Sequence, residues 1–239
     1  MARSVAQSCA SIARFQHLGL ILVGSLILPC VASAGAWTPP AGRVNFIVSA
    51  SLSETPVADG AITTDLYYER GLGKGWTLVL SPSFSDQDNI FARNEAQISL
   101  RRSLYEDNGW ALSAQAGAYI WKETASAEVS SGAEFRLALG KSIGEGHWVN
   151  FETAMRQCGG TNSYRWEGTL GYAVRRWDKA IVKVFGDSEG CSANITRVQA
   201  SYVYGLSEAL GVEVGLRQTL PNVGNWNERG LVVGLWVRF

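Results

Sequence analysis

The sequence predicts an all-β protein: a closed, antiparallel, up-and-down transmembrane β-barrel of about twelve strands, within bounds of roughly 10 to 14. Three observations carry the expectation. Apolar and polar residues alternate strictly over segments of about ten residues. The connectors between segments alternate between short turns and longer polar links. Large aromatic residues gather at the ends of the segments. Composition agrees. Of 239 residues 46% are hydrophobic, enough to drive folding. Lys and Arg number 21 and Asp and Glu 21, so the basic excess that phosphate-dominated nucleic-acid binding needs is missing. The 26 Gly and 9 Trp, against 6 Pro and 2 His, suit short strands and tight turns better than helices.

The amino terminus reads as an export signal. Arg3 and Arg14 precede the apolar run Leu18 to Leu28, then Pro29 and the small-residue site Ala32-Ser33-Ala34. Spanning a membrane as a helix takes about 20 apolar residues, so this run is too short. Pro29 before Cys30 argues against lipidation, which normally follows a small residue. The expected organisation is a signal peptide over 1–34, cleaved near Ala34, and a single barrel domain over 35–239. Cys158 and Cys191 remain in the exported chain, without the C-x-x-C spacing of a zinc or redox site. They are expected to form a disulfide between two loops on one rim, two free thiols being the alternative.

Twelve alternating segments lie near 43–52, 62–70, 76–85, 94–104, 110–121, 133–142, 148–157, 164–173, 180–187, 196–204, 210–219 and 229–239. In the fourth, Ala96, Ile98 and Leu100 oppose Glu95, Gln97, Ser99 and Arg101. In the last, Leu231, Val233, Leu235, Val237 and Phe239 oppose Gly230, Gly234 and Arg238. The first and ninth are the least regular. Pro82 cannot donate to a ladder and implies a bulge or an early strand end within the third.

Short turns are expected at 71–75, 106–109, 144–147, 175–179 and 205–208, with longer links at 53–61, 86–93, 122–132, 158–163, 188–195 and 220–228. Trp76, Trp110 and Trp148 each open a strand after a short turn, and with Tyr204, Tyr105 and Phe239 they form one expected aromatic girdle. Phe84, Ile120 with Trp121, and Tyr164 with Trp166 collect toward the opposite end. Charges fall on the polar faces, and the exception, Arg102, lies near a strand end where its head can reach water. A soluble barrel with apolar residues inside is the alternative; it would rarely leave its outer face so free of charge.

The signal segment, the run of alternating strands and the ending Leu-Trp-Val-Arg-Phe, with Phe239 last, resemble the outer membrane β-barrel proteins of Gram-negative bacteria. The resemblance implies an outer membrane location, lipid as the surrounding partner, and recognition of Phe239 by the barrel assembly machinery. It covers essentially the whole exported chain and points to no particular subfamily.

Some barrels of this kind are hydrolases, so catalysis needs weighing. His147 lies in the short Gly-Glu-Gly-His turn, away from the loop end where such active sites sit, and no Ser-His-Asp set assembles around it. Glu152 and Glu167 have acid/base chemistry available, but neighbouring arginines point to salt bridges. The stretch Gly71 to Gly75 lacks a following helix and is a hairpin turn, not a phosphate cradle. No enzyme activity, cofactor or metal is expected.

Function is therefore expected in the lumen. The lining candidates are Glu134, Arg136, Glu152, Arg156, Arg165, Glu167, Arg197, Glu213 and Arg217. They either line a narrow passive channel for small hydrophilic solutes or pair with one another and close the bore. A non-conducting barrel, serving as a surface scaffold or as an accessory to secretion or polysaccharide export with an unknown envelope partner, is the alternative. The eight residues Gly35 to Gly42 before the first strand are too few for a cork domain.

Overall fold

The computed structural model describes residues 35–55, 58–85, 93–123, 128–188, 194–220 and 228–239. The expected signal peptide and Cys191 lie outside them. The strands are β1 (Val44–Thr55), β2 (Ala58–Gly73), β3 (Trp76–Leu80), β4 (Ser83–Ser85), β5 (Arg93–Asp107), β6 (Trp110–Glu123), β7 (Val129–Ser142), β8 (Trp148–Cys158), β9 (Thr161–Ala173), β10 (Lys179–Asp187), β11 (Ile195–Gly205), β12 (Leu210–Thr219) and β13 (Arg229–Arg238). Each pairs antiparallel with its neighbours. β1 pairs with β13 from Asn45↔Arg238 to Glu54↔Arg229 and closes the cylinder. Closure leaves no sheet edge, the condition for a sheet to stand in hydrocarbon.

β3 and β4 together are one stave, so the barrel has twelve: both lie between β2 and β5, separated by Ser81-Pro82. Pro82 has no N–H to give, but its carbonyl accepts the Leu66 N–H at 2.8 Å, and the break costs the ladder little.

The short turns follow local chemistry. Asp107 pairs with Trp110 across Asn108 (φ 48°) and Gly109 (φ 77°), the positive-φ pair that a type I′ hairpin requires. One connector differs from expectation. The longer link expected at 158–163 is a two-residue hairpin through Gly159 and Gly160, with Cys158 paired to Thr161. Cys158 therefore ends a strand and is buried, where a loop position was expected. Neighbouring glycines both take positive φ here, which is why a link that reads as loop becomes a tight turn.

The barrel is inside-out relative to a soluble one. Leu100, Phe135, Leu137, Phe151, Val214, Leu216 and Leu231 are exposed on the outer wall, while Glu69, Arg101, Glu134, Glu152, Arg156 and Glu213 are buried in the lumen. Such an outer surface is stable in lipid and not in water. This settles which face points outward, a choice that alternation leaves open.

Candidate functional site: the barrel lumen

Because side chains alternate across a strand, the inward set on β5 to β8 is Glu95, Gln97, Arg101, Gln115, Glu134, Arg136, Glu152 and Arg156. Register then fixes who meets whom. Glu134 stands opposite Arg156, and Arg156 Nε donates to Glu134 Oε2 at 2.5 Å. The rest of that guanidinium forks onto Glu95 at 2.7 and 2.8 Å, a bidentate pair reaching across two strands. Arg136 bridges Glu134 (2.9 Å) and Glu152 (2.8 Å). Gln97 donates to Glu134 at 3.0 Å, and Asn150 Nδ2 donates to Glu152 Oε1 at 2.9 Å. A second group sits beside it. Arg101 pairs with Glu69 at 3.0 Å and donates to Gln115 and to the Tyr67 hydroxyl, which itself donates to Glu69. This wall is filled with interlocked charges, the carboxylates of Glu69, Glu95, Glu134 and Glu152 against the guanidiniums of Arg101, Arg136 and Arg156.

The facing wall, β9 to β12, is different. Arg165 pairs with Asp187 at 2.6 Å, Lys183 with Glu167 at 3.6 Å and Arg197 with Glu228 at 2.7 Å. The side chains of Arg165, Lys183 and Glu167 keep about a third of their surface in solvent (36%, 33% and 34%), against 3% for Arg101 and 5% for Arg156, with Arg136 (25%) and Arg197 (23%) between them. Arg217 donates to Gln199 at 3.0 Å and lies 5.4 Å over the Phe185 ring, with no ion pair among the described residues. Gln199 also donates to Glu213, whose other oxygen accepts the Trp236 indole N–H at 2.8 Å. All nine candidate residues thus face the lumen. They divide into a packed wall and a wetted one.

The short-turn mouth is apolar and occupied. Ala36 and Trp37 are buried among Ala111, Ala138, Trp148, Ile181, Val203 and Trp236, all inward-facing. A Cβ at Gly140 would meet the Trp37 ring at 2.4 Å, so a glycine on β7 makes room for that indole. Ser113 Oγ donates to the Gly35 carbonyl at 2.9 Å. The segment Gly35 to Pro40 thus enters the bore at this mouth, with the Trp37 indole buried in it.

Two aromatic placements need correction. Trp148 was expected in the girdle; it is 2% exposed in the lumen, with the Lys179 ammonium 5.2 Å from its ring centre and Gly171 beneath it. Trp121 was expected in the opposite band and instead stacks on Tyr119 at 5.0 Å inside the barrel. In both, strand parity outranks nearness to a strand end. Trp76, Trp110 and Tyr204 do stand exposed on the outer wall. Arg102 lies 5.1 Å from the Trp76 ring and Lys141 5.0 Å from the Trp110 ring, so cations top these indoles at the rim. Phe239 is exposed, and its backbone exchanges hydrogen bonds with Val44 (2.6 and 3.0 Å), tying the last residue to the first strand.

His147 is occupied structurally: Nδ1 accepts the Ala173 N–H at 3.1 Å and the ring stacks on Tyr172. Among the described residues no three His, Cys, Asp or Glu gather as a metal site. Cys158 is disulfide-bonded. Glu95 and Arg101 were legible as polar-face residues but not as network members, since register across strands decides that. Trp37 carried no signal, because it lies outside any alternating segment.

No protein-family model and no curated protein sequence matches the chain. Solved structures do. The COG4313 outer membrane channel from Pseudomonas putida F1 superposes with TM-score 0.61 at 13% identity, over 87% of this chain and 100% of that one. The KdgM porin gives 0.59 at 8% identity, over 81% and 99%; it has also been solved in complex with disordered oligogalacturonate. Outer membrane phospholipase A from Escherichia coli gives 0.52 at 13% identity, over 86% and 98%. At these identities what is shared is the fold, and the chain has the architecture of an outer membrane β-barrel.

Proposed function

We propose that this protein is an outer membrane barrel acting as a narrow passive channel for small hydrophilic solutes. The wetted, charged wall of β9 to β12 carries the reading. Arg165, Lys183 and Arg197 keep part of their side chains in solvent there, and the proposed path runs along this wall beside the packed Arg–Glu wall. Most charges on that wall are paired; among the described residues Arg217 has no ion pair, and Glu213, held by the neutral Gln199 and Trp236, is buried, so the expected selectivity is a modest preference for anions. The likeness to the COG4313 channel and the KdgM porin supports the same reading. Catalysis is not proposed, since the one histidine of the exported chain serves its turn and the phospholipase shares only the fold. Export with cleavage after Ala34 and a Cys158–Cys191 disulfide belong to this reading.

Reconstitution in planar bilayers tests it. The purified barrel is expected to give small, stable current steps whose reversal potential in a salt gradient favours anions. Arg217→Gln should weaken the preference, and Trp37→Ala should enlarge the steps by clearing the mouth. A barrel silent in both wild-type and Trp37→Ala forms, recovered with a bound envelope protein, overturns the channel in favour of an accessory role.

A further inference from the structure

Among the described residues, the packed wall of the lumen holds one more carboxylate than guanidiniums. Glu95, Glu134 and Glu152 contribute three carboxylates, and Arg136 and Arg156 contribute two guanidiniums, in one connected network. The next cation along the wall, Arg101, is already engaged by Glu69. An unmatched buried charge is costly, and folding normally supplies a partner. Beside Glu152, Asn150 is 2% exposed and its Oδ1 has no hydrogen-bond donor. The missing group should therefore be a cation with several N–H donors, lying close to Glu152.

The amino-terminal segment passes that point. A Cβ built on Gly35 would stand 1.9 Å from Glu152 Oε1 and 3.0 Å from Oε2. The carboxylate thus rests directly against the Gly35 backbone, and any larger residue there would push it aside. The backbone nitrogen lies one bond of about 1.46 Å from that Cα. In the intact precursor it is an amide. Released by cleavage, it becomes an ammonium with three N–H donors beside Glu152.

We propose that cleavage after Ala34 creates the missing cation: the α-ammonium of Gly35 pairs with Glu152, completes the lumen network, and pins the Gly35–Pro40 segment across the short-turn mouth as a stopper. Processing then does more than release the chain. It installs a charge that holds Trp37 in the bore, and an amino terminus one residue longer or shorter leaves that charge displaced. The inference rests on the cleavage position proposed above and is independent of whether the bore conducts.

The test compares three full barrels refolded into lipid: one beginning at Gly35, one retaining Ala34 in front of it, and one beginning at Gly35 with Glu152→Gln. Intact mass of the exported protein first gives the natural amino terminus, and a start other than Gly35 overturns the proposal. Reductive methylation at neutral pH, read on the amino-terminal peptide by mass spectrometry, then reports how free the amine is. The Gly35 form is expected to react at least about tenfold more slowly than either other form, since one pKa unit of stabilisation is a factor of ten. Equal rates in all three overturn the pin. The Ala34-extended form keeps Glu152 and its arginine, so a folding defect of Glu152→Gln cannot imitate the result. Larger current steps from the Ala34-extended barrel support the stopper role. Protection of the amine with no current from any form leaves the pin in place and removes only the channel.

Discussion

Arg156 is the residue on which the lumen network turns. It holds Glu134 and Glu95 at once and lies 4.6 Å over the Tyr119 ring. Arg156→Ala leaves Glu95 without its cation and Glu134 with Arg136 alone, so a loss of about 3–5 kcal/mol is expected in urea unfolding from lipid vesicles followed by tryptophan fluorescence. Arg156→Met combined with Glu95→Gln should recover part of that loss, because it removes the stranded charge as well as its partner. A single variant as stable as wild type would mean that water fills the gap. Asp178, in the turn before β10, makes a different prediction. Its carboxylate accepts the Gly205 N–H at 3.0 Å and the Tyr202 hydroxyl at 2.8 Å, and these donors hold its pKa below the usual aspartate value. A folded-state pKa below the unfolded one stabilises the native state above the unfolded value and loses that contribution as pH falls through the folded one. Unfolding scans from pH 6 downward should therefore show the wild-type advantage over Asp178→Asn shrinking from roughly pH 4. An advantage constant across the scan contradicts the assignment.

Strands carry their own test, because each has a lipid side and a lumen side one residue apart. Leu137 is exposed on the outer wall of β7, between the inward Arg136 and Ala138. Leu137→Arg puts a charge among acyl chains and is expected to cost about 2–4 kcal/mol in the same unfolding measurement. Arginine already occupies position 136 on the lumen side, so the penalty belongs to the face. The Cys158 disulfide acts at the loop rim. Paired with Cys191 it encloses roughly 30 residues, and loop entropy gives it about 3 to 4 kcal/mol, to be read as the shift on reduction. Free thiols at both positions by mass spectrometry would remove that pairing. Elements also show where reading the sequence stops. The alternation near 94–104 placed Glu95 and Arg101 on the polar face correctly, since period two is a local property. The Gly159-Gly160 hairpin was read as a longer link, because two glycines specify a turn only when the flanking strands are in register to use it.

At the scale of the whole molecule, the apolar outer wall demands lipid or detergent, and the β1–β13 pairing gives the cylinder its closure. What the bore can pass is set at the same scale. Neither the packed wall nor the wetted one belongs to a single strand, and the stopper is a short segment lying across several. All nine lumen candidates were legible one at a time from strand parity. Their division into two walls was not, because it depends on which side chains meet across the barrel. Trp148 and Trp121 make the same point from the other direction: their places near strand ends suggested membrane girdles, and parity sent them inside.

The amino-acid sequence alone determined the strand periodicity, the near-twelve stave count, the break at Pro82 and the segregation of charge from hydrocarbon, since each depends on residues within a few positions of one another. Tertiary structure decided which face looks outward, how Glu95, Glu134, Glu152, Arg136 and Arg156 assemble, and where Gly35 and Trp37 rest. Those outcomes depend on register and closure between strands far apart in the chain, and no local pattern encodes the distance between side chains that meet only once the cylinder is shut.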